Sequence, residues 1–335
     1  MSHMGYEESV WNSQEIPFYD KRYVHVEDQS ENITVNTDNP VEIYNYLCSR
    51  VYKQDKYCRD AAMILYNHIR GITSRNIVCG PPGCGKTYVW ECLKEIYPRI
   101  LLVDASNLTK DGWSGGNKVT DFINEIELHN RKYIVVFDEF DKCATPQYTR
   151  HDENVSAEVQ SEFLKLVEGK RVKRDSKNDG TMIDTSEMSF VFCGSFAQKA
   201  ASIAEKESST GLGFGNVKKT GVCFEKELTI NDLVDFGVIR ELASRCTRLI
   251  NVRPLTLDDY VYLVSEYEGS PIKSLERSYG MRLEITDEQK REIAHNAYKS
   301  GLGIRNVSAQ IQRMMDERIF DQFLNIDEDP GSLPL

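Results

Sequence analysis

Gly80-Pro81-Pro82-Gly83-Cys84-Gly85-Lys86-Thr87 follows the apolar run Asn76-Ile77-Val78-Cys79 and precedes a helix-like stretch, Tyr88 to Ile96. It fits the pattern G-x-x-x-x-G-K-[ST]. The strand before it and the helix after it supply the context in which that pattern means a phosphate-binding loop rather than a chance Gly-rich turn. The chemistry lies in the backbone: glycines let the chain wrap an anion so that several N–H groups point inward at phosphate oxygens. The helix that begins there adds the positive end of its dipole. Residues Pro82, Gly83, Cys84, Gly85, Lys86, Thr87 and Tyr88 are therefore expected around the phosphates of a nucleotide. Lys86 would reach the β- and γ-phosphates, and Thr87 would hold Mg²⁺ through its hydroxyl. Cys84 places a thiol at the loop, which predicts sensitivity to oxidation.

Outward from the loop, apolar runs alternate with helical stretches. Runs at Ile100–Val103, Tyr133–Phe137 and Phe190–Cys193 are separated by the helix candidates Val119–Leu128 and Val155–Val167. Such alternation predicts an α/β core of parallel strands with helical crossovers, and buried parallel strands read as continuous apolar runs. Asp38-Asn39-Pro40 marks a boundary, since proline suits the first turn of a helix. Helical patterns then run through Ile43, Tyr46 and Leu47 and from Ala61 to Ile69. Beyond Arg253-Pro254 the pattern turns mostly helical: Thr256 to Tyr267, a capping box at Thr286-Asp287-Glu288-Gln289 opening a helix to about Lys299, and an amphipathic stretch from Ile304 to about Phe323. The expected organisation is an N-terminal extension over 1–37, a large domain over 38–252, a small helical lid over 253–325 and a tail over 326–335. Residues 1–4 read as a cloning scar.

The second chemical signal is Ile134-Val135-Val136-Phe137-Asp138-Glu139. An apolar strand ending in Asp-Glu can present Asp138 to Mg²⁺ and Glu139 to an attacking water. Both roles serve phosphoryl transfer, in which positioning and charge stabilisation dominate.

Bulk properties bound the reading. The chain has 335 residues and a formal net charge of −11, which argues against sequence-independent binding to nucleic acid or to an anionic membrane. The basic run Lys170-Arg171-Val172-Lys173-Arg174, with Lys177, is the local exception and reads as a solvated loop. No apolar stretch has the length of a membrane span, and no signal-peptide pattern opens the chain. Nine cysteines without a C-x-x-C pair, together with six histidines without ligand spacing, point to reduced thiols in a cytoplasmic protein and to no structural zinc.

P-loop, acidic strand end and helical lid together resemble the AAA+ class, and within it the chain is most similar to the ClpX protein unfoldases, from about Asn39 to Phe323. The likeness extends beyond the nucleotide motifs, to Asn39-Pro40-Val41-Glu42-Ile43, Leu65-Tyr66-Asn67-His68, Asp104-Ala105-Ser106-Asn107-Leu108-Thr109, and Val159-Gln160 followed by Phe163 to Gly169. The resemblance implies an AAA+ ATPase that uses ATP and Mg²⁺, forms a hexameric ring, threads protein substrates through its pore and feeds a ClpP-like peptidase. It places Val51 and Tyr52 beside the adenine, in a segment where Lys53 stands in place of a glycine. It makes Ser195 the sensor-1 polar group, in a segment one residue shorter than the family's. Arg245 becomes the arginine finger given to a neighbouring subunit, with Arg240 and Arg248 as alternatives, and Arg305 the sensor-2 arginine of the lid. Trp113, in Gly112-Trp113-Ser114-Gly115, falls on the pore loop, where tryptophan replaces a tyrosine and Ser114 an apolar residue. Leu212, Gly213 and Phe214 fall on the peptidase-docking loop. The family's N-terminal cysteine-ligated zinc domain has no counterpart here, the first cysteine being Cys48. Two other readings stay open: a remodeller of protein complexes that works without a peptidase, and a nucleic-acid motor supported only by the basic run.

Overall fold

A computed structural model describes residues 35–109, 117–127, 132–148, 154–174, 180–210, 226–267, 270–280 and 282–328. Trp113, Leu212, Gly213 and Phe214 lie outside them, as does nearly all of the N-terminal extension. The chain enters through α1 (Pro40–Arg50), with Pro40 in its first turn and the Asn39 side chain accepting from the Val41 N–H. This is the helix start that Asn-Pro predicts. Helix α2 (Asp55–Ile69) follows, then β1 (Arg75–Cys79), α3 (Tyr88–Ile96) and β2 (Ile100–Asp104). The short pairs β3 (Leu108–Thr109) and β4 (Asn117–Lys118) precede β5 (Ile134–Asp138), α4 (Phe140–Ala144) and α5 (Val155–Val167). A hairpin of β6 (Arg171–Lys173) and β7 (Met182–Asp184) leads to β8 (Ser189–Gly194), α6 (Ala197–Thr210), α7 (Ile230–Phe236), α8 (Arg240–Arg245) and β9 (Arg248–Asn251).

Five of these strands form one parallel sheet in the order β2-β5-β8-β1-β9. Neighbours along the sheet are not neighbours in the chain, which is what helical crossovers produce. Both faces are covered, so alternate residues of each strand feed different cores. Val78, Ile134, Val136, Val191 and Ile250 pack against α1, α2 and α3. Ile77, Val135, Phe137, Phe190 and Phe192 pack on the other face with Phe163 and Leu166 of α5. There Phe137 meets Phe163 edge-on at 4.8 Å and stacks on Phe192 at 5.6 Å, arrangements that suit the ring quadrupole. A third core belongs to the C-terminal helices α9 (Leu257–Ser265), α10 (Pro271–Tyr279), α11 (Asp287–Ser300) and α12 (Ile304–Glu328), where Tyr260, Val264, Ile293, Val307 and Ile311 meet.

Three details differ from the sequence reading. The helix expected over Val119–Leu128 is only a 3-10 turn, Asp121–Glu125, although Val119, Phe122, Ile123 and Ile126 are all buried as helical spacing predicts. The basic run is not a loop throughout, since Arg171–Lys173 forms β6 against β7. Strand β9 is short, with two apolar residues between polar ends, and its pattern alone did not reveal it.

Candidate nucleotide site at the carboxyl ends of the strands

All five strands point the same way, so their carboxyl ends form one edge. The register brings three of those ends level: Cys79 pairs with Gly194, and Phe137 with Phe192. The loop after β1, Asp138 at the end of β5 and Ser195 just after β8 are thereby gathered from distant parts of the chain.

The loop itself carries two left-handed glycines, Gly83 at φ +67° and Gly85 at φ +90°. This is backbone that turns successive N–H groups toward one side. The Thr87 hydroxyl donates to Asp138 Oδ2 at 2.6 Å, and the other carboxylate oxygen accepts from the Glu139 N–H at 2.9 Å. A hydroxyl and a carboxylate converging at this distance are hard oxygen donors of the kind Mg²⁺ takes. Glu139 is exposed and held at φ +54°, the left-handed region unusual for a residue with a side chain. Lys86 turns its ammonium onto the loop, donating to the carbonyls of Gly80 and Pro81 at 2.9 and 2.8 Å. Tyr57, fully buried, donates to the Lys86 carbonyl at 2.6 Å and so ties α2 to the start of α3.

The side chain of Cys84 departs from expectation. It is buried in the core under α1 and α2. Burial pushes its thiol above the ordinary range despite the Lys86 charge nearby. A buried, protonated thiol is a poor target for oxidants, so the predicted redox sensitivity is corrected and Cys84 offers the site its backbone. Tyr88, by contrast, is exposed at the start of α3.

Ser195 donates to Asp141 Oδ2 at 2.9 Å, and Asp141 is itself buried. Val51 is buried against the loop: a Cβ built on Gly85 would lie 3.9 Å from its Cγ1. Tyr52 does not present a free ring. It stacks on Tyr262 of α9 at 5.0 Å and lies 5.7 Å from Tyr267, while Lys53 Nζ sits 5.2 Å above it. Lys53, where the resemblance led to glycine, does adopt a glycine-like φ of +49°.

From the lid side, Gly303 comes into backbone contact with the loop. A Cβ on Gly83 would lie 2.6 Å from Gly303 Cα and from the Leu302 carbonyl oxygen, and the Ile304 N–H points at the Gly83 carbonyl at 3.5 Å. Arg305 follows that contact by two residues and is exposed.

Arg245 is elsewhere. It ends α8 and pairs with Glu168 at 3.2 Å, more than half exposed. Thr247 donates to the Arg75 carbonyl at the amino end of β1, so Arg245 lies at the opposite edge of the sheet from the loop. A five-residue strand separates the two edges by roughly 15 Å, beyond the reach of one arginine side chain. Of the alternatives, Arg248 pairs with Asp60 at 3.5 Å and Arg240 is exposed at the start of α8.

Sequence reasoning missed the residues that bind loop, linker and lid together. Gln54, buried, donates to the Arg253 carbonyl at 2.9 Å and accepts from the Arg253 N–H at 3.2 Å. Asp259, 1% exposed, accepts from Lys53 Nζ at 2.6 Å, from the Arg253 guanidinium at 3.1 Å and from the Thr256 N–H at 2.9 Å. Burial works to raise the Asp259 carboxyl, but Lys53 and the Thr256 donors outweigh it and hold it below the usual range. The one available signal was the capping-box spacing Thr256-x-x-Asp259.

Comparison with known proteins agrees with this fold. Residues 76–196 match the ATPase family associated with various cellular activities (AAA), and residues 270–332 match the C-terminal, D2-small domain of ClpB protein. The ATP-dependent clpX-like chaperone, mitochondrial, of Saccharomyces cerevisiae is 28% identical over 77% of this chain, which spans 60% of that protein's length. The ATP-dependent Clp protease ATP-binding subunit ClpX of Treponema denticola is 26% identical over 84% of this chain and 77% of its own. For ClpX 2 of Wolinella succinogenes the figures are 25%, 88% and 80%.

Proposed function

We propose, for a chain built on an AAA ATPase domain and of ClpX type over most of its length, a motor that couples Mg·ATP hydrolysis to the unfolding and threading of protein substrates. The observation that carries the reading is the meeting of Thr87 with Asp138 at 2.6 Å, beside the exposed Glu139. Thr87 and Asp138 would hold Mg²⁺, which would supply positive charge to the transferring phosphoryl group. Lys86 exchanges the Gly80 and Pro81 carbonyls for β- and γ-phosphate oxygens. Glu139 orients the attacking water and takes its proton. Ser195, fixed by Asp141, faces the γ-phosphate, and Arg305 brings the lid's charge to it. Arg245, on the far edge of the sheet, serves the site of a neighbouring copy, an arrangement that suits a ring, hexameric in the ClpX resemblance. Such a finger is worth about 10³–10⁵ in rate.

Unfolding through Trp113 and docking of a ClpP-like peptidase through Leu212, Gly213 and Phe214 rest on the resemblance, as does a cytoplasmic setting. Among the described residues no helix is long and apolar enough to cross a membrane. Glu139→Gln is expected to keep ATP affinity while lowering turnover by at least about a hundredfold, on the scale of a lost general base. Equilibrium binding of a fluorescent ATP analogue and steady-state phosphate release read the two quantities separately. Undiminished hydrolysis would refute the assignment.

A further inference from the structure

Residues 51–54 form a strap between the phosphate loop and the lid, and each of them grips something different. Val51 packs toward Gly85. Tyr52 stacks on Tyr262, Lys53 pairs with Asp259, and Gln54 exchanges two hydrogen bonds with the backbone of Arg253. Asp259 and Tyr262 are three residues apart on α9, so they share one face of the lid's first helix. The Lys53 backbone lies at φ +49°, a conformation that strains a residue with a side chain and that glycine adopts without steric penalty. What offsets that strain is at the tip of the side chain: the ammonium, about half exposed, meets a carboxylate that is 1% exposed. Asp259 also closes the capping box of α9 with Thr256 and receives Arg253 from the linker. One buried carboxylate therefore joins strap, linker and lid. On the other side of the loop the lid touches Gly83 through Gly303.

We propose that Lys53 is a positioning residue: through Asp259 it fixes the lid over the phosphate loop, and nucleotide affinity depends on it although its ammonium is engaged by the lid. This rests on the reading of the loop as a nucleotide site. The mechanism is a difference between two lid positions. With the lid held, Gly303 sits on the loop and Arg305 stands beside it. With Lys53 removed, Asp259 keeps Arg253 and its cap, so α9 stays folded, but the strap loses its charged tie to α9 and holds it only through the Tyr52–Tyr262 stack and the Gln54 bonds to the linker, which leaves the lid's position less fixed. Nucleotide binding must then supply the ordering that the ion pair supplied before.

The test is the affinity of the whole protein for a fluorescent ADP analogue with Mg²⁺, measured alongside thermal unfolding for Lys53→Gly, Lys53→Met and Lys53→Arg. Lys53→Gly removes the ion pair and also the backbone strain. A purely structural role predicts that affinity follows stability. The proposal predicts that they part: Lys53→Gly unfolds at or above the parental temperature yet binds about fivefold or more weakly, the lower end of a typical coupling between sites. Lys53→Met weakens binding to a similar degree, and Lys53→Arg restores most of it. Parental affinity in both Lys53→Gly and Lys53→Met overturns the proposal. Lys86→Ala is the control that separates it from the functional reading. If Lys86→Ala binds as well as the parent, the loop is not the nucleotide site and both fall; if only Lys86→Ala loses binding, the Lys53 proposal alone falls.

Discussion

At the scale of the residue, the phosphate loop is constrained by a neighbour its own motif does not mention. Gly83 and Gly303 are both left-handed, and each leaves no room for a Cβ on the other. The obstructing atoms are backbone, so no rotamer change relieves the clash. Gly303→Ala is expected to destabilise the protein by more than about 1 kcal/mol, the cost of the left-handed conformation alone. It is also expected to weaken nucleotide binding by displacing the turn that carries Arg305. Calorimetry and nucleotide titration of the same preparation check the two effects. Gly83 was legible from the loop pattern, but its contact with Gly303 was not, because it joins two turns far apart in the chain. Cys84 shows the converse. Its position in the loop was plain, but which way the side chain turned depended on α1 and α2.

Among the elements, α5 bears on the placement of Arg245. Gln160 is fully buried on that helix, donating to the Gly237 carbonyl at 3.0 Å and accepting from the Ile239 N–H at 2.9 Å. It thus secures the turn that enters α8, at whose end Arg245 stands. Gln160→Leu keeps the bulk but leaves the partly buried Ile239 N–H and Gly237 carbonyl without this partner. A loss of about 2 to 4 kcal/mol is expected from two unmet backbone groups, read by urea denaturation. The sheet strands other than β9 were legible because buried parallel strands are nearly all apolar. The helix over Val119–Leu128 was misjudged for a reason that belongs to the element: burial of Phe122, Ile123 and Ile126 satisfies the helical spacing, yet the backbone closes only as a 3-10 turn. Hydrophobic spacing reports which side chains go inward, not which hydrogen-bond ladder carries them. The β6–β7 hairpin was hidden because its strands are basic, and its closure depends on Thr185, whose hydroxyl donates within reach of the Leu166 and Lys170 carbonyls at 2.8 and 3.0 Å.

For the whole molecule, stability should depend on pH through a residue remote from the loop between β1 and α3. His68 is buried between α2 and the sheet, with Nδ1 2.9 Å from the Ser189 hydroxyl and its ring edge-on to Tyr97. Burial lowers its pKa to about 4, against about 6.5 in an unfolded chain. Between those values the unfolded chain binds the extra proton, so stability is full above about pH 6.5 and declines toward pH 4, below which this contribution no longer changes. About 2 kcal/mol should be lost between pH 7 and pH 5, and His68→Gln should flatten that slope in urea titrations at the two pH values. The three-layer α/β plan with its helical lid was legible from the chain, because apolar runs and capping boxes are local signals. The strap, the buried Asp259 and the lid's seat on the loop were not, since each joins partners that meet only after folding.

A parallel sheet has two unlike ends. Here the phosphate loop occupies one and Arg245 the other. Copies in which each completes the next one's site through these groups cannot meet face to face about a two-fold axis using a single patch. They meet head to tail, with different surfaces on the two partners, and repetition of such a contact either closes into a ring or winds on as a helix. In a population mixed with Arg245→Ala chains, the altered chain would keep its own turnover beside an intact neighbour and silence the site it faces, so each altered chain would cost one site, and that site would lie in its neighbour rather than in itself.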